Sequence, residues 1–192
     1  MKRCLALLMF LCSSFIGIAQ NNLPPAFEIT SDTAIIDTLP RAYWQMLEDK
    51  DGNLTYEQVQ QFPFANQFHY NPTGKINRNV STNWFRFMIK NTTGHDVNIG
   101  FYDHYLGASD WYLITADTTI HKKTGFETPW SKKDDLKLIN FISTAIKAGD
   151  VLTVYQRANY DYFNFYTNLI LLQSNRSFNL EYGFTDKVIK SN

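Results

Sequence analysis

From residue 81 onward the chain is a run of short strand-like segments broken at regular intervals by turn chemistry, and no other feature restricts its fold as tightly. "TNWFRFMIKN" (82–91), "HDVNIGFYDHY" (95–105), "DWYLITAD" (110–117), "KLINFIST" (137–144), "VLTVYQRANY" (151–160) and "FNFYTNLILLQS" (163–174) each read as a strand. Clusters such as Asn91-Thr92-Thr93-Gly94 and Ala148-Gly149-Asp150 separate them. The aromatic content agrees, because 15 Phe, 11 Tyr and 4 Trp favour pleated, half-buried surfaces. Regular short strands with little helix predict an all-β domain, a jelly-roll-like β-sandwich with one short surface helix. Two earlier segments, 26–30 and 34–39, read as strands split by Ser31-Asp32.

Side chains in a strand alternate between its faces. In 82–91, Phe85, Phe87 and Ile89 share one face, while Trp84, Arg86, Met88 and Lys90 share the other. In 151–160, Leu152 and Val154 lie opposite Tyr155, Arg157 and Asn159. Two strands therefore carry an aromatic-x-Arg pair on the face expected to be less buried. A sugar ring offers an apolar face that Trp or Tyr can cover, and its hydroxyls suit planar Arg and Asn donors. Trp84, Arg86, Tyr155, Arg157 and Asn159 form the predicted ligand-binding set, with Trp111, Tyr112 and Trp130 as additions from neighbouring strands or loops. Against this stands the ordinary role of such aromatics as core.

The stretch "EDKDGNLTYEQVQ" (48–60) imitates a calcium loop. Counted from Asp49, oxygen ligands fall at loop positions 3, 5 and 7 through Asp51, Asn53 and Thr55. Leu54 stands where the loop needs glycine, and Gln60 where it needs a bidentate Glu. No metal is expected; Asp49 and Asp51 read as solvated turn residues. Thr55 with Gln58 forms a capping box that starts a helix of about two turns, ended by Phe62-Pro63 and expected to be a surface decoration.

The first nineteen residues, with Lys2 and Arg3, an apolar run and Gly17-Ile18-Ala19, predict a cleaved export signal. Residues 20–192 then form a single domain of 173 residues without cysteine, since Cys4 and Cys12 leave with the signal. Disulfides and thiolate chemistry are excluded from it. Removing Lys2 and Arg3 leaves 16 basic against 18 acidic residues, a balance that attracts neither nucleic acid nor an anionic membrane. No later stretch reaches the ~20 apolar residues of a spanning helix. The expected product is soluble and periplasmic or extracellular. Catalytic patterns are weak: His69, His95, His104 and His121 are scattered, and no G-x-S-x-G elbow is present. Neither an enzyme nor a cofactor is expected.

Several segments, in order, resemble the extracellular N-terminal domain of bacterial seven-transmembrane receptors with diverse intracellular signalling modules. "YWQMLEDKDGNLTYEQVQQ" looks like that family's early segment. "NWFRFMIKNTT" is similar to its W-x-R-x-x-x-x-N strand, through Trp84, Arg86 and Asn91. "DWYLI" resembles the next strand, and "AGDVLTVYQRAN" its G-x-x-x-T-x-Y-x-R strand, through Gly149, Thr153, Tyr155 and Arg157. The resemblance implies a carbohydrate-binding-like sandwich that senses a small polar ligand outside the inner membrane and passes the signal to a membrane partner. The chain ends at Asn192, where the family's first membrane helix would follow. It is therefore expected to be either a cut-down receptor or a free-standing sensor domain. A secreted carbohydrate-binding module or hydrolase accessory domain is the alternative, and a structural or protein-interaction domain is favoured if Trp84 and Tyr155 are buried.

Overall fold

The computed structural model describes residues 23–31, 39–77, 80, 82–102, 106–135, 141–160 and 171–174. In chain order the elements are β1 (Ala26–Ile29), β2 (Trp44–Asp49), α1 (Tyr56–Val59), β3 (Thr82–Asn91), β4 (Val97–Tyr102), β5 (Leu106–Ile114), β6 (Thr119–Thr124), β7 (Phe141–Ile146), β8 (Val151–Tyr160) and β9 (Leu171–Ser174). The expectation of an all-β sandwich with one short helix holds.

The larger sheet runs β1-β3-β8-β5-β6. One edge of β3 is shared: β2 pairs antiparallel with Thr82–Phe87, and β1 pairs parallel with Met88–Asn91. The smaller sheet runs β7-β4-β9 and is antiparallel throughout. From β3 to β9 the chain passes repeatedly between the two sheets, so neither sheet is made of one contiguous stretch.

Alternation explains why the sheets close on one another. Phe85, Phe87 and Ile89 of β3, Trp111 and Leu113 of β5, and Leu152 and Val154 of β8 all point to the smaller sheet. There they meet Val97, Ile99 and Phe101 of β4 and Ile142 and Ile146 of β7 in one continuous core. Phe101 lies between Phe87, edge-on at 5.6 Å, and Trp111, stacked at 5.4 Å. Each such side chain, fully removed from water, contributes roughly 1.5–3 kcal/mol. Buried Asn91 fastens one end: its amide donates to His95 O and Ile146 O (2.7 and 2.9 Å), and its Oδ1 accepts from Thr93 N at 3.0 Å.

Two strands depart from the sequence-based expectation. β2 is not among the strands expected from sequence, yet its Met46, Leu47 and Trp44 are buried on alternating faces. β6, "TIHKKT", is too charged to read as a strand, but it is an edge, where charge deters pairing with other chains. β5 also starts at Leu106 rather than 110, with a register shift between Leu106 and Ser109. The expected strand at 34–39 lies outside the described residues except for Leu39, as do 103–105, 137–140 and 163–170 of three others. Among the described residues no helix is long and apolar enough to cross a membrane.

Candidate functional site

The outer face of the larger sheet carries the aromatic-x-Arg residues, as alternation predicts, but it is covered. After β2 the chain turns through Gly52 and lays the segment 54–68 across that face. Leu54, Tyr56, Val59, Phe64 and Phe68 pack onto Leu47, Trp84, Tyr112, Ile114 and Tyr155 as a second apolar cluster. The short helix is thus the centre of a lid and not a surface decoration. It spans Tyr56–Val59, one turn, and its capping box is made as predicted: Thr55 N donates to Gln58 Oε1 at 2.8 Å, and Gln58 N to Thr55 Oγ1 at 3.4 Å.

The calcium-like stretch is the lid's hinge turn. Asp49 is buried, contrary to its reading as a solvated residue, because both its carboxylate oxygens accept backbone donors: Oδ1 from Asn53 N at 3.2 Å and Oδ2 from Leu54 N at 3.0 Å. Gly52 takes φ +66°, a conformation that suits glycine. Its carbonyl accepts from Arg157 Nη2 at 2.8 Å, which ties the turn to β8. Backbone bonds in both directions between Met46 and His69 (2.8 and 2.9 Å) close the far side of the lid.

The predicted ligand set therefore separates into three groups. Trp84, Arg86 and Tyr155 lie under the lid at 0, 2 and 6% exposure. Arg86 Nε donates to Gln45 Oε1 at 2.8 Å and its guanidinium sits 4.2 Å from the centre of the Phe68 ring. Burial pulls Arg86 below the usual guanidinium range, an effect opposed by Tyr155. Trp111 is fully buried and faces the other way, between the sheets, because it is one residue out of phase with Tyr112. The expectation that the face of Trp84, Arg86 and Tyr155 is the less buried one is corrected accordingly: period two tells two faces apart, but not which of them another segment covers. Tyr112, Arg157 and Asn159 stay partly exposed at the lid's margin, with Asn159 Oδ1 accepting from Thr82 Oγ1 at 2.9 Å.

At that margin the aromatic rings form a ladder. Tyr112 is sandwiched between Tyr56 of the lid (4.1 Å, 1° between planes) and His121 of β6 (4.4 Å, 1°). Burial raises both tyrosine pKa values above 10.0; next come a hydrogen bond from Thr119, opposing, for Tyr56 and the Asp110 charge, reinforcing, for Tyr112. His121 Nε2 lies 2.8 Å from Asp110 Oδ1, and Lys123 Nζ reaches the same oxygen at 3.2 Å. Asp110 is also cross-strand from Arg157.

Beside this ladder opens a cleft of about 450 Å³, lined by Ala108, Ser109, Asp110, Lys123, Glu127, Thr128, Pro129 and Lys132. Its wall is the loop after β6, held by Glu127 N to Gly107 O at 2.6 Å and Asp134 N to Lys123 O at 2.8 Å. The loop approaches β5 closely because Gly107 has no side chain: a Cβ there would stand 2.9 Å from Glu127 Oε2. Trp130 and Phe126, 52 and 68% exposed, belong to the same loop. The sequence points to none of the cleft's lining residues, only to Trp130 between Pro129 and Lys132 of the same loop. The missed signals are Asp110, in phase with Tyr112 on the outer face, and the bracketing of Trp130 by Glu127 and Lys132 in "GFETPWSKK".

The fold is thus a two-sheet β-sandwich with a lidded outer face and a polar cleft at its margin. The family model of 7TMR-DISM extracellular 2 matches residues 41–170, and the chain belongs to that family. It is an extracellular domain of the kind those receptors carry. No curated protein matches the chain. Among solved structures, protein SO0799 from Shewanella oneidensis matches at 11% identity over 64% of this chain and 77% of that one, with a TM-score of 0.22, too slight a likeness to carry argument.

Proposed function

We propose that the chain is a non-enzymatic, ligand-sensing domain of a receptor, exported by its first nineteen residues, that takes a carbohydrate or similar small polar ligand in the marginal cleft. The observation that carries this reading is the cleft itself: about 450 Å³, lined by Asp110, Lys123, Glu127 and Lys132, with exposed Trp130 next in the chain to its lining residue Pro129. Pockets of this size suit small molecules, and a few convergent polar groups fix their orientation. Trp130 supplies an aromatic surface for the apolar face of a sugar ring.

A ligand shifts a receptor only by binding two states with different affinity. The cleft has a contiguous route to such a difference. Asp110 on its wall holds His121, His121 stacks on Tyr112, and Tyr112 stacks on Tyr56 of the lid. A ligand group that draws Asp110 away from His121 loosens the ladder and with it the lid. The membrane signalling partner belongs to the same proposal, with the lid surface as the element that it would read.

Titration calorimetry of the purified chain with neutral, acidic and amino monosaccharides tests the proposal. Heats that vanish in Trp130→Ala and Asp110→Ala support it; absence of binding by every sugar refutes the carbohydrate class. The burial of Trp84 and Tyr155 favours a second reading, a protein-interaction domain, in which the exposed Phe126 and Trp130 contact a receptor partner. Retention of partner binding in Asp110→Ala, with loss in Trp130→Ala, would select it.

A further inference from the structure

Resting on that cleft as the binding site, the geometry points to a ligand that carries both an ammonium and a carboxylate. The cleft holds two acids and two bases, but they are not equivalent. Asp110 is spent on its own neighbours, Lys123 at 3.2 Å and His121 at 2.8 Å. The Glu127 carboxylate and the Lys132 ammonium, both exposed, have no hydrogen-bond or ion-pair partner among the described residues. They line the same cleft without pairing with each other.

Their placement is built and not incidental. The backbone at Glu127 is fixed to Gly107 O, and the missing side chain at Gly107 is what admits Glu127 Oε2 against β5. Lys132 ends a one-turn 3-10 helix, Trp130–Lys132, whose start is fixed by Pro129 and whose turn is closed by Lys132 N to Pro129 O at 2.7 Å. Both chains of constraint converge on one loop, so the two charges are presented from a tethered support and not from free ends.

A neutral sugar would meet these groups only through hydroxyls. A cation alone would satisfy only Glu127, and an anion alone only Lys132, so each singly charged ligand gains at one end. A compact zwitterion satisfies both, its ammonium at Glu127 and its carboxylate at Lys132. Charge-assisted hydrogen bonds are about twice as strong as neutral ones. At about tenfold in affinity for each charged contact, the zwitterion leads its singly charged analogues by roughly that factor.

Calorimetry on the purified chain with five probes decides the matter: glucose, glucosamine, glucuronate, muramic acid (a sugar bearing both an amine and a carboxylate) and alanine. Muramic acid binding about tenfold more tightly than glucosamine and glucuronate supports the inference and assigns an amino-sugar acid. Alanine binding as tightly supports it and assigns an amino acid instead. Glu127→Gln should then remove the gain from the amine and Lys132→Met the gain from the carboxylate, both with an unchanged urea midpoint. Glucose binding as well as muramic acid, indifferent to both substitutions, overturns the inference and leaves the cleft standing as a sugar site. Failure of all five probes to bind overturns the cleft reading and this inference with it.

Discussion

Replacing Trp84 by alanine separates a covered face from an open one. Trp84 is fully buried, with Tyr112 stacked on it at 6.0 Å and the lid residues packed around it. An indole buries on the order of 200 Å², which at about 25 cal/mol per Å² corresponds to roughly 5 kcal/mol. A compact unfolded chain already hides part of that area and lowers the figure to about 3–4 kcal/mol. The indole N–H has no acceptor among the described residues, so its removal returns part of a desolvation cost of about 1–3 kcal/mol. The expected destabilisation is therefore about 2–3 kcal/mol, below the usual range for a buried Trp→Ala change. Trp84→Phe keeps the packing and sheds the N–H, and should cost less than about 1 kcal/mol. Urea unfolding followed by far-UV circular dichroism measures both, through a lower midpoint at constant slope. A Trp84→Ala midpoint within about 0.5 kcal/mol of the parent, together with loss of ligand binding, would mean that the ring lies on an open platform and that the lid does not cover it.

Alkaline pH should weaken the fold through the aromatic ladder. Tyr56 and Tyr112 have folded pKa values raised above the unfolded value of about 10, so the folded state holds their protons more tightly. Their contribution is complete below pH ~10 and is lost as the pH rises through the raised values; a melting temperature that falls less steeply above pH ~10 in Tyr56→Phe and Tyr112→Phe would bear this out. Asp49→Ala removes the acceptor of two backbone N–H groups at the lid's hinge and should cost about 1–3 kcal/mol in urea unfolding, whether or not calcium is added. Thr55→Ala breaks the capping box and should cost about 1 kcal/mol, seen as faster hydrogen exchange confined to the lid. Gly107→Ala should displace Glu127 from β5 and weaken cleft binding more than it lowers stability, measured by calorimetry beside a thermal melt.

Local chemistry was legible in the chain by itself. The strand alternation of 82–91 and 151–160 put Phe85, Phe87, Ile89, Leu152 and Val154 on one face and Trp84, Arg86 and Tyr155 on the other, as observed, because a pleat admits only two. Thr55 and Gln58 announced their capping box, since its four partners lie within four residues. Leu54 and Gln60 removed the calcium reading by the ligand chemistry they lack, and the order of short motifs from Trp44 to Arg157 pointed to the family. Only tertiary structure decided which face is open. Trp84, Arg86 and Tyr155 look alike in sequence whether water or Phe68 lies over them, and the lid that covers them comes from a segment earlier in the chain. The cleft is hidden for the same reason: Asp110 and Glu127 become neighbours only when β5 and β6 pair and the loop folds back onto Gly107, a contact between distant backbones that neither residue's own surroundings encode.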